Sequence, residues 1–225
     1  MGEVWLHYVG SQLYSIESFV REARKYGVSR AIPLNMLGKL RWGEKIYLAQ
    51  LVRKEVGGEE RKLARIFGFF TVEWVNLSCS DELRKAVYDD PRVSAKIIST
   101  GKLRVERACG SYVISAVATT SADLETVAKV IKEKVVEFGE KVKVFVGGKL
   151  TLIYPQVEVE APFTRSLVRV EFDEGKVRAV KEVPVKMKSK AVAHVVDYVQ
   201  RRRLTREERR RRENKSLFEF LGVAA

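Results

Sequence analysis

Cysteine, histidine, proline and the side-chain amides are all scarce in this chain of 225 residues. Two cysteines, Cys79 and Cys109, cannot build a disulfide scaffold or a four-cysteine zinc site. The two histidines, His7 and His194, lie far apart in the chain and do not supply the paired histidines of a mixed zinc site. No apolar run approaches the roughly 18 residues needed to cross a bilayer. The first residues, Met1 to His7, lack the basic-then-apolar order of a signal peptide, so the expected setting is cytoplasmic, with no membrane partner. There is no Gly-Lys-Ser/Thr phosphate loop and no Gly-x-Gly-x-x-Gly turn, which leaves nucleotide hydrolysis and dinucleotide chemistry without a motif. Asn and Gln together number seven, while Lys, Arg, Glu and Val abound. That bias is the one found in hyperthermophiles, and it sets the expectation of a thermophilic, archaeal source.

What the chain does have is positive charge. Its formal net charge is +13, and 46% of its residues are hydrophobic, enough for a real core. A strongly basic balance points to a polyanion, most simply nucleic acid. The charge is unevenly placed. Between Lys186 and Lys215 stand twelve Lys and Arg (Lys186, Lys188, Lys190, Arg201, Arg202, Arg203, Arg206, Arg209, Arg210, Arg211, Arg212 and Lys215) against four acids, a local net of +8. Thr205 and Glu208 have the spacing of a capping box, so a helix is expected to start there. From Arg206 to Lys215 no residue is apolar, and such a helix has no stripe with which to join a core. Arginine suits phosphate because its planar fork makes bidentate contacts. The apolar end that follows, with Leu217, Phe218, Phe220 and Leu221, is expected to dock on the body or on a second copy, making a homo-oligomer.

The periodicities predict an α+β protein with mostly antiparallel sheets and a C-terminal basic helix. Strands are expected over Val4–Val9, Ile46–Val52 and Arg65–Leu77, the last two joined by a charged turn at Gly57-Gly58. Helices are expected over Ile16–Tyr26, after Ser80, and over Asp123–Phe138, which Gly139 closes. Pro33 to Leu40 reads as a loop or a single helical turn. Later strands are expected over Ala95–Ile98, Lys102–Arg107, Ser111–Thr119, Lys141–Val146, Lys149–Tyr154, Val157–Glu160, Leu167–Phe172 and Lys176–Lys181, and a last helix from near Lys190. A boundary near Pro91 would divide the chain into an N-terminal domain of residues 1–92, a second lobe of residues 93–185 and a basic arm of residues 186–225.

The stretch Leu40-Arg-Trp-Gly-Glu-Lys-Ile-Tyr-Leu-Ala, followed by Ile66-Phe-Gly-Phe-Phe-Thr-Val-Glu-Trp-Val, resembles the PUA-like β-barrels, the superfamily that includes the ASCH and EVE domains. Arg41-Trp42-Gly43-Glu44 stands where those domains usually carry a lysine and a Gly-Asp pair, and Gly68-Phe69-Phe70-Thr71-Val72 matches their second strand. The resemblance covers residues 30–80. It implies a small barrel in the N-terminal half that binds RNA or a modified base.

Aromatic and basic residues interleave in this same region, and Trp42, Tyr47 and Trp74 are candidates for stacking on bases, against the competing role of a barrel core. Strict alternation would set Phe67 and Phe69 on one face, and Ile66, Gly68 and Phe70 on the other. Glu158 and Glu160 share a strand face and, with Asp89, Asp90 or Glu171, supply the carboxylates that a metal-dependent nuclease would need. No nuclease spacing supports that alternative, and no cofactor, metal or catalytic residue is assigned. The expected function is therefore nucleic-acid binding, DNA or RNA, through the arginine-rich arm, with the body providing register or oligomerisation. A structural component of a mobile element or larger complex is the third reading.

Overall fold

The computed structural model describes residues 2–9, 16–93, 96–97, 106–107, 110–111 and 118–185. In chain order these form β1 (Gly2–Tyr8), α1 (Ile16–Tyr26), β2 (Val28–Ile32), α2 (Leu34–Leu37), β3 (Lys45–Val56), β4 (Glu59–Thr71), β5 (Trp74–Ser78) and α3 (Asp81–Tyr88). They continue with β6 (Lys96–Ile97), β7 (Glu106–Arg107), β8 (Gly110–Ser111), β9 (Ala118–Thr119), α4 (Leu124–Phe138), β10 (Lys143–Gly148), β11 (Leu150–Glu160), β12 (Val168–Phe172) and β13 (Ala179–Glu182).

The fold is α+β with mostly antiparallel sheets. A six-stranded sheet has the order β12-β1-β3-β4-β11-β13, a five-stranded sheet the order β2-β10-β5-β9-β6, and β7 pairs with β8. Within the first sheet β1 and β3 run parallel, and every other pairing is antiparallel. Both large sheets take strands from either side of Pro91, so the sheets interleave the two halves of the chain.

Each sheet's alternation sorts its side chains onto two faces. One face of the first sheet (Trp5, Ile46, Leu48, Phe67, Phe70) meets the inner face of the second (Val28, Ile32, Val75, Leu77, Val144, Val146) and the apolar stripes of the helices. The other face of the first sheet gathers Leu6, Tyr8, Tyr47, Ala49, Ala64, Ile66, Ile153, Val170 and Phe172 into a second core that draws only on its own strands. A sheet that buries one face against itself must coil. Two irregularities supply the bend. One lies in β4, where Leu48 pairs with Gly68 but Ala49 with Ile66, leaving Phe67 as the extra residue. The other lies in β11 between Leu152 and Val157.

The β4 bulge overturns the expected alternation. Phe67 joins Phe70 in the main core, where it meets Phe19 edge to face at 5.6 Å, while Ile66 falls on the side of Phe69. The long strand expected over Arg65–Leu77 is two strands. Val72-Glu73 carries the chain from the first sheet to the second, and Lys149, just after Gly147-Gly148, carries it back. Side chains are excluded at that return: a Cβ on Gly148 would lie 1.9 Å from the Thr71 carbonyl oxygen. The strand β2 was not expected. Its five residues, Val-Ser-Arg-Ala-Ile, are too mixed to show a period.

The helix ends follow local chemistry. Ser80 Oγ accepts from the Leu83 amide at 3.1 Å, and Asp123 Oδ1 accepts from the Thr126 amide at 2.6 Å. Gly139 closes α4 in the left-handed conformation, φ 63°. Pro33 to Leu37 is the single helical turn that the sequence allowed.

Candidate functional site

The expected arm lies outside the described residues. That holds for Lys186, Lys188 and Lys190, for the eight arginines from Arg201 to Arg212, for Lys215, and for Leu217, Phe218, Phe220 and Leu221. His194 and Cys109 lie outside as well.

The three candidate stacking residues sit in the body. Tyr47 is 2% exposed and lies within the concave core, 4.8 Å from the Phe172 ring, its hydroxyl donating to Glu174. Trp74 is 8% exposed, its ring laid over Gly147 and Gly27. Trp42 is half-buried against the main core, its indole N–H donating to the Ala122 carbonyl at 2.6 Å. Stacking on a base requires an open ring face, and Tyr47 and Trp74 spend theirs on packing.

Three of the carboxylates considered for a metal, Glu158, Glu160 and Asp90, are held by cations. Glu158 contacts Lys54 Nζ at 2.6 Å and Arg65 at 3.0 Å, and the bond from Lys54 holds its carboxyl below the ordinary range. Glu160 pairs with Arg61 at 3.1 Å. Asp90 is bound by Arg92, which lowers its pKa to about 2, and Arg92 also reaches Glu133 at 2.6 Å. Among the described residues no group of three or more His, Cys, Asp or Glu side chains is placed to hold a metal ion.

His7 is buried, and burial foremost, with Arg30 nearby, lowers its pKa to about 4. Its neutral ring donates from Nδ1 to the Tyr8 carbonyl at 2.8 Å. Burial raises the Cys79 thiol to about 11, far from a reactive thiolate. These groups serve the packing of the body.

Two arrangements escaped the sequence reading because they depend on which strands become neighbours. At one rim of the concave core, Glu174 accepts from both Tyr47 and Lys45, the latter at 2.9 Å. Those bonds hold the Glu174 carboxyl below its ordinary range, and burial, then the bond to Glu174, pushes the Tyr47 phenol up. On the outer face of the second sheet, Ser29 and Trp74 both pair with Gly147, and Asn76 pairs with Phe145 one step along. There Ser29 Oγ, Trp74 Nε1 and both polar atoms of the Asn76 amide are buried without a hydrogen-bond partner.

These observations define an α+β body of two sheets in which part of the described ionisable groups stand in ion pairs with one another. No family model matches the chain, and neither a curated protein nor a solved structure matches it. Among the described residues no helix is long and apolar enough to cross a membrane.

Proposed function

We propose that this protein binds nucleic acid through its arginine-rich C-terminal segment, carried on an α+β body. The observation that carries the reading is the partition of charge. The segment from Lys186 to Lys215 holds +8 of the total +13 and has no apolar stripe beyond Arg206. In the body, ten of the described Lys and Arg stand in ion pairs: Lys45, Arg53, Lys54, Arg61, Arg65, Arg84, Arg92, Lys134, Lys149 and Arg169. Cations already matched by carboxylates release few counterions on meeting a phosphate, whereas a run of unmatched arginines releases many.

The test is full-length protein in which Arg201, Arg202, Arg203, Arg206, Arg209, Arg210, Arg211 and Arg212 are changed to Gln, titrated against a labelled RNA and a labelled duplex DNA at low salt. Affinity is expected to fall by more than about tenfold for whichever nucleic acid the parent binds. Unchanged affinity for both overturns the proposal.

A further inference from the structure

The hairpin of β3 and β4 projects past the rest of the first sheet. The pairing of β1 with β3 ends at Ala49, and that of β11 with β4 ends where Glu160 meets Leu63. From Arg53 to Lys62 the two strands pair only with each other, through a two-residue turn in which Gly57 and Gly58 both have positive φ.

Within this ribbon like charges face each other. Arg53 pairs with Lys62, Lys54 with Arg61, and Glu55 with Glu60, on three successive rungs. Such pairs oppose folding in an isolated hairpin, and the neighbours relieve only part of the repulsion: Arg53 reaches diagonally to Glu60 at 3.2 Å, Lys54 and Arg61 turn to Glu158 and Glu160, and Lys62 is exposed. The four cations are almost balanced by Glu55, Glu59 and Glu60, and the acids lie nearest the tip, so the ribbon offers phosphate little.

Its outer edge complements itself. Glu59-Glu60-Arg61-Lys62, set antiparallel to the same strand of a second copy about a two-fold axis between Glu60 and Arg61, places Glu59 opposite Lys62 and Glu60 opposite Arg61, then the same two pairs again. Each rung that repels within a copy then gains an opposite charge across the interface. This register also brings the partner's Gly57-Gly58 turn to the end of β11. There the surface has an open cavity of about 430 Å³ lined by Arg61, Lys62, Glu160, Ala161 and Pro162.

We infer that the β3–β4 ribbon is a self-association arm, joining two copies edge to edge through Glu59–Lys62. The interface is small and built on exposed charge pairs, so association is weak and salt-sensitive.

The test is the mass of nuclease-treated full-length protein by sedimentation equilibrium at about 100 μM, a concentration suited to weak interfaces, in low and high salt. A dimer is expected at low salt, with its dissociation constant raised at least about tenfold in about 1 M salt. Two variants, E59K/E60K and R61E/K62E, turn like-charge rungs of the hairpin into opposite-charge ones while giving up the Arg53–Glu60 and Arg61–Glu160 pairs, and circular dichroism checks that each is folded. Each alone is expected to be monomeric, their equimolar mixture to form a heterodimer, and the fourfold swap in one chain to dimerise again. A parent that stays monomeric at low salt, or a mixture and a swap that both stay monomeric, overturns the inference. So does a dimer that neither variant weakens, because that result assigns association to another surface, such as the Leu217–Leu221 end.

Discussion

The indole of Trp74 lies across Gly147 so closely that a β-carbon there would come 2.3 Å from Nε1 and 2.3 Å from the Val28 carbonyl oxygen. The second obstacle is backbone, so no rotamer change clears it. Gly147→Ala is expected to cost about 3 kcal/mol or more, at the upper end of overpacking effects. Gly2→Ala, where an added β-carbon meets nothing within 4 Å, should be close to neutral. Paired thermal melts check both, each kcal/mol corresponding to about 2–4 °C in Tm for a chain of this size.

Asn76 supplies a prediction of opposite sign. Its side chain is 0% exposed and both of its polar atoms lack a partner. Removing a buried, unpaired amide removes its desolvation penalty, about 1–3 kcal/mol. Asn76→Leu, similar in shape, is expected to stabilise the protein by about 1 kcal/mol. Asn76→Asp would bury a charge with no countercharge and should destabilise it strongly. Denaturant midpoints for the three proteins, at unchanged m, give the order Leu above Asn above Asp.

His7 makes the body sensitive to acid. Its pKa falls from 6.5 to about 4 on folding. Between those values the unfolded chain takes up a proton that the folded ring refuses, so stability is complete above pH 6.5 and declines as pH drops toward 4. The loss amounts to about 3 kcal/mol if the whole shift is realised. His7→Gln keeps a donor for the Tyr8 carbonyl but does not titrate. Stability measured in denaturant across pH 4–7 should decline less steeply for the variant in that window.

The elements that were legible in the sequence are those whose determinants are local. Ser80, Asp123 and Gly139 cap helices by contacts within a few residues, and all three ends are observed. The tip of the ribbon was legible because two adjacent glycines fit a turn that needs positive φ twice. What escaped depends on strand neighbours far apart in the chain. Phe67 could not be known as a bulge until β3 lay beside β4, and the two-strand split at Val72-Glu73 appears only when the two sheets are separate. The same holds for the site residues. Tyr47 stands two residues from Lys45 and Trp74 follows an aromatic run in the sequence, yet Gly147 and Phe172, far along the chain, decide that their rings are buried. The like-charged rungs of the ribbon were present in the sequence as a near-palindrome, but they acquire meaning only from the register that opposes Lys54 to Arg61.

Salt dependence separates the arm from the body quantitatively. Each phosphate neutralised on duplex DNA contributes about −0.9 to the slope of log affinity against log salt, and about −0.7 on a single strand. If all eight arginines between Arg201 and Arg212 engage a duplex, the parent slope approaches about −7. Changing Arg209, Arg210, Arg211 and Arg212 to Gln should then reduce its magnitude by about 3–4, while the affinity extrapolated to 1 M salt changes much less. Arg92→Gln is the matched control, because Arg92 already spends its charge on Asp90 and Glu133, and it should leave the slope alone. Binding isotherms at several salt concentrations for the three proteins measure the slopes directly. Equal slopes for the parent and the fourfold arm variant would move the phosphate contacts off the arm and onto the body.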